Sequence, residues 1–126
     1  MRLEYDHERA SLLAQAAKLS WDELIYGDPE ICDFVLVNDR IVWTTVAQPR
    51  ARNLAVLEAS VRALPQATAT IVEFGCGTGR NLFFLKKSLP SIRCIGLELS
   101  PVSVELARAV ASRFELEVEF QACDVT

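Results

Sequence analysis

The chain has 126 residues, 51% of them apolar and 24% charged, with 13 Lys plus Arg against 17 Asp plus Glu. That length suits one domain with a real core rather than two, and the composition excludes a disordered or fibrous chain. No apolar run reaches membrane-spanning length, and the net charge of −4 gathers into no basic stripe that would suit a nucleic acid. The start, MRLEYDHERA, carries charges where a secretory leader needs apolar residues, so a cytoplasmic protein with no membrane partner is expected.

From the N-terminus, Leu13, Ala16, Ala17 and Ser20 predict a helix, and Asp28-Pro29 is a fair cap for another. The following FVLVNDRIVW is read as a continuation of that helix, with a hairpin turning at Asn38-Asp39 as the alternative. Residues 1–48 are thus expected to be a mainly helical cap or lid segment. Leu54, Leu57, Val61 and Leu64 share a face of a helix that starts at Pro49 and is expected to pack beside the next strand.

The rhythm then becomes regular. ATIVEF, Ala69 to Phe74, reads as a buried strand; Leu82, Leu85 and Leu89 fall at helical spacing, and Pro90 stops them. IRCIGLEL is a second strand, followed by Ser100-Pro101, a hydroxyl cap with proline at the first helical position. Val102, Leu106, Val110 and Phe114 predict the buried stripe of that helix, and LEVEFQA alternates like a third strand. Strands separated by helices of this length are normally parallel, so residues 49–126 are expected to form an α/β unit with three parallel strands.

At the end of the first of these strands stand Gly75, Gly77 and Gly79. A sharp strand-to-helix turn without β-carbons lets a ligand lie against the main chain. A dinucleotide loop wants a glycine or alanine at the sixth position, but counting from Gly75 that position is Arg80, and from Gly77 it is Leu82. A P-loop lysine is also absent. Cys32, Cys76, Cys94 and Cys123 form no C-x-x-C pair and His7 stands alone, so neither a metal site nor a nucleophile is indicated. Trp21, Tyr26 and Trp43 are read as core rather than pocket.

VEFGCGTG resembles the first motif of the class I S-adenosylmethionine-dependent methyltransferases, E/D-x-G-x-G-x-G, matched in full from Glu73 to Gly79. The resemblance implies a Rossmann-like fold and S-adenosylmethionine as cofactor, which has no phosphates but carries a cationic amine. It also implies that Glu98, 19 residues after Gly79 (98 − 79 = 19), accepts from the ribose hydroxyls, and that Asp124 meets the adenine amine. The cofactor contacts so implied are Glu73, Gly75, Cys76, Gly77, Gly79, Glu98, Leu99 and Asp124. No catalytic residue can be named.

A full domain of that family has about seven strands, so the chain looks like a truncated cofactor half, inactive alone, with its acceptor unidentified. The first strand of the sheet would then have an unpaired edge, which leaves three readings open: a truncated product, a homodimer that pairs these edges, or an N-terminal segment that covers the gap. The alternatives are a non-catalytic assembly module with a vestigial site and, on weaker grounds, a nicotinamide-dependent oxidoreductase.

Overall fold

A computed structural model describes residues 2–65 and 70–124. The elements are α1 (Arg2–Ala16), α2 (Trp21–Tyr26), β1 (Cys32–Val37), β2 (Arg40–Thr45), α3 (Ala47–Arg62), β3 (Thr70–Phe74), α4 (Arg80–Ser88), β4 (Arg93–Glu98), α5 (Pro101–Arg113) and β5 (Val118–Ala122). They group into two compact units, one of residues 1–19 with 65–126 and one of residues 20–64. Ala69, expected to begin β3, lies outside the described residues.

In the smaller unit, Ser20 caps α2 rather than extending α1. Its hydroxyl accepts from the Glu23 N–H and the Glu23 carboxylate accepts from the Ser20 N–H, a reciprocal capping box. Asp28-Pro29 consequently lies in a turn after α2 and starts no helix. The helical reading of FVLVNDRIVW is overturned: β1 and β2 form an antiparallel hairpin with Val37 opposite Arg40. Asn38 and Asp39, at φ 49° and 62°, supply the two left-handed residues that a two-residue hairpin turn requires. Phe34 and Trp43 face each other edge-on at 4.9 Å.

The larger unit is built on a parallel sheet of order β3-β4-β5. The registers Ile71↔Cys94↔Val118 and Glu73↔Gly96↔Phe120 put these residues on one face. There Cys94, Gly96 and Phe120 are buried with Leu82, Phe83 and Leu85 of α4 and Val104, Ala107, Val110 and Ala111 of α5. The predicted α5 stripe is therefore corrected: of its four members only Val110 is buried. Ala107 and Ala111 face inward because they lie three and seven positions after the buried Val104, on the same side of the helix. The α5 start is as expected, with the Ser100 hydroxyl accepting from the Ser103 N–H and Pro101 in the first turn. Helix α1 packs on α5, where Arg9 makes a paired contact with Glu105 and Arg113 Nη1 donates to the Ala16 carbonyl at 2.8 Å.

On the other face of the sheet, Val72 and Phe74 are exposed. Strand β3 pairs only with β4 among the described residues, which corrects the reading of ATIVEF as a buried strand.

Candidate cofactor site

The strand registers Phe74↔Leu97 and Glu98↔Ala122 bring the carboxyl ends of β3, β4 and β5 to one edge of the sheet, where open α/β sheets hold their ligands. The glycine loop folds back over the end of β4. The N–H groups of Gly75 and Cys76 both donate to the Leu97 carbonyl, at 2.8 and 3.2 Å, and Gly79 N–H donates to Cys76 O at 3.0 Å. Gly77 N–H donates instead to a side chain, Glu98 Oε2, at 2.9 Å.

The glycines divide into two kinds. A β-carbon built on Gly75 or Gly77 would meet no atom within 4 Å, so open space lies over both. At Gly79 it would stand 2.6 Å from Cζ of Phe120, and there the loop presses onto the core. Gly96 is a fourth glycine of the site that sequence reading missed. A β-carbon there would lie 2.6 Å from Cys76 Sγ and 2.7 Å from the Phe120 ring, so this gap is what admits the thiol beneath the loop.

Glu73 lies on the helix-covered face. Asn81 Nδ2, in the first turn of α4, donates to its Oε1 at 2.6 Å, while Oε2 is buried without a hydrogen-bond partner. Burial pushes the Glu73 carboxyl above its ordinary value, and the Asn81 bond only partly offsets this. Glu98 is shifted the opposite way, held below the usual carboxylate range by the Ser100 and Gly77 N–H groups. Cys76, buried and near both carboxylates, has its thiol pushed up to about 11, which removes it as a nucleophile.

The edge therefore gathers Glu73, Gly75, Cys76, Gly77, Gly79 and Glu98, with Leu99 exposed beside them. Cys123 N–H donates to the Glu98 carbonyl at 2.9 Å, which puts Asp124, exposed, one residue beyond the same edge. Trp21, Tyr26 and Trp43 belong to the other unit; Trp43 is exposed, against the expectation of a core residue.

Residues 71–126 match the family described as "Methyltransferase domain". Residues 71–126 belong to a class I S-adenosylmethionine-dependent methyltransferase domain. Over 102 residues the chain is 32% identical to a release factor glutamine methyltransferase of Geobacter sulfurreducens, covering 81% of this chain and 34% of that protein. A protein of the same description from Koribacter versatilis is 28% identical over 88 residues, covering 69% of this chain and 31% of that protein. The chain thus spans about a third of the length of these curated relatives. Among solved structures, a coclaurine N-methyltransferase bound to N-methylheliamine and SAH matches with TM-score 0.57 at 17% identity, covering 98% of this chain and 38% of that one. A [4+2]-cyclase matches with TM-score 0.57 at 21% identity, covering 91% of this chain and 38% of that one. At these identities the likeness concerns the fold, and the cyclase shows that one fold serves more than one reaction.

At the carboxyl edge of the sheet the methyltransferase domain presents main-chain and carboxylate groups together. There is open space over Gly75 and Gly77, and the Glu73 oxygen Oε2 is buried without a hydrogen-bond partner. Glu98 keeps acceptor capacity beyond its two backbone bonds, since each carboxylate oxygen has a second lone pair.

Proposed function

We propose that the chain forms the S-adenosylmethionine-binding half of a methyltransferase. The observation that carries this reading is the open space over Gly75 and Gly77 at the sheet edge that also holds Glu98. The bound cofactor supplies an electrophilic sulfonium methyl. Glu73 Oε2 would accept from its ammonium, the Gly75–Gly79 main chain with Cys76 would lie against its amino acid portion, and Glu98 would accept from the ribose hydroxyls. Leu99 would offer apolar surface beside the ribose and Asp124 would accept from the adenine amine. None of these residues moves a proton. Their work is to fix the methyl in line with an incoming acceptor, and alignment of this kind supplies most of the rate in such transfers.

The acceptor is not assigned. The relatives differ in it, being named for release factor glutamine, coclaurine and geranyl diphosphate. The same proposal makes residues 1–48 a cap or lid segment and 49–126 the cofactor domain; the compact units divide the chain elsewhere, with residues 1–19 grouped with 65–126 and α3 grouped within residues 20–64. A cytoplasmic location is supported by four free thiols. A homodimer through the β3 edge is supported by the exposure of Val72 and Phe74.

Calorimetry with S-adenosylmethionine, S-adenosylhomocysteine and NAD tests the core of the reading. Saturable binding of the first two and none of the third is expected. A folded chain that binds neither sulfur compound is an assembly module instead.

A further inference from the structure

We propose that Glu98 is a positioning residue for the glycine loop, because its carboxylate ties the Gly77 N–H to the Ser100 N–H before any ligand arrives. This rests on the reading of the loop as a cofactor cradle, and it gives Glu98 a second task besides the ribose.

The geometry is specific. Oε2 accepts from Gly77 at 2.9 Å and Oε1 accepts from Ser100 at 3.0 Å, so one carboxylate bridges the loop after β3 and the start of α5 after β4. The neighbouring loop donors, Gly75, Cys76 and Gly79, are satisfied by carbonyl groups of the backbone, which no side-chain substitution removes. Gly77 differs in having a side chain as its acceptor. Its φ of 57° lies in the left-handed region, and nothing within 4 Å packs where its β-carbon would be. Its carbonyl meets only the weak thiol donor Cys76 Sγ, at 3.7 Å, so the Glu98 bond is its stronger tether.

Two backbone donors converging on one side chain require two acceptors. A carboxylate has them; a glutamine amide of the same shape has one acceptor and a donor that would oppose an N–H. Glu98 itself is held from the other side, since its carbonyl accepts from Cys123 N–H at 2.9 Å. The clamp is therefore anchored on the central strand of the sheet and fixes the loop in its binding shape, which lowers the ordering cost of binding.

The test separates this role from ribose binding. Amide hydrogen exchange is measured by NMR on the ligand-free chain, for wild type, Glu98→Gln and Glu98→Met. Gly77 is expected to exchange about tenfold faster in both variants, while Ile71 and Glu73 in β3, whose N–H groups face β4, are unchanged, which also reports that the variants are folded. Affinity is then measured for an S-adenosylhomocysteine analogue lacking both ribose hydroxyls, which a ribose-only role predicts to be equal in wild type and Glu98→Gln. The clamp predicts a loss of about threefold or more in Glu98→Gln, because a loosened loop must still be ordered. Equal exchange at Gly77, or equal affinity for the analogue, overturns the proposal. Failure of wild type to bind S-adenosylhomocysteine counts against the cofactor reading, and the exchange comparison then decides the clamp by itself.

Discussion

Asn81 satisfies one oxygen of Glu73 and leaves the other, Oε2, buried with no partner. The carboxyl is thus held on the covered face of the sheet, where burial disfavours its charged form, a pattern characteristic of groups kept for binding rather than for stability.

Glu73→Gln should therefore raise thermal stability at neutral pH and weaken binding. The sign follows from linkage. The folded value lies above the ordinary 4.5, so the stability contributed by the protonated form is full below 4.5 and lost as pH rises through the raised folded value. Removing the charge should lift the ligand-free melting temperature at pH 7 by about 2 to 4 °C and reduce S-adenosylhomocysteine affinity by about tenfold. A melt at pH 4 and pH 7 with calorimetry checks both, and the stabilisation should shrink at the lower pH.

Gly77→Val should abolish cofactor binding and leave the fold standing. The new β-carbon enters open space, and the left-handed φ adds strain of about 1–2 kcal/mol or more for a branched residue. Circular dichroism should show native helix content alongside lost affinity.

Gly79→Ala should be more damaging to stability than Gly75→Ala. Both residues have positive φ and share that penalty, but only at Gly79 does the β-carbon run into Phe120, an overpacking cost of about 1–3 kcal/mol more. Urea midpoints for the two variants should differ in that order.

Phe74→Lys should reduce self-association. Phe74 is exposed on the strand whose outer edge is unpaired among the described residues, and a charge there opposes strand addition. Sedimentation of wild type should show concentration-dependent association that the variant lacks.

Thiol labelling should follow burial. With its thiol at about 11, Cys76 should resist iodoacetamide at pH 8, as should the buried Cys94, while the half-buried Cys32 and Cys123 react first. Mass spectrometry of digests reads the order directly.

The parallel unit was legible in the sequence because its signals are local. The glycine spacing marks one turn, and Ser100-Pro101 marks the start of a helix whose cap the structure reproduces. The hairpin was misread because FVLVNDRIVW is apolar on both faces of the ribbon, so alternation was hidden, and its turn is Asn-Asp rather than Asn-Gly. The α5 stripe was misread because large residues were weighted over Ala107 and Ala111, which share the buried side of the helix with Val104. At the site, Glu73, the glycines and Glu98 carried a motif. Asn81, Gly96 and Phe120 carried none, since each acts through a neighbour that only strand pairing or loop folding brings near. The bond from Gly77 to Glu98 crosses 21 residues and exists only because β3 and β4 lie side by side.

Cys76, Gly96 and Phe120 fill a single volume, drawn from a loop and two strands. None of the three can change size by itself, so the variation open to the protein at these positions is collective. In a library randomised at all three, folded members should keep a nearly constant summed side-chain volume while individual identities vary. An alanine at 96 should be accepted mainly with a smaller residue at 76 and a smaller or differently shaped one at 120. The line of seven letters from Glu73 to Gly79 thus shares its packing with residues 96 and 120, which the line does not include.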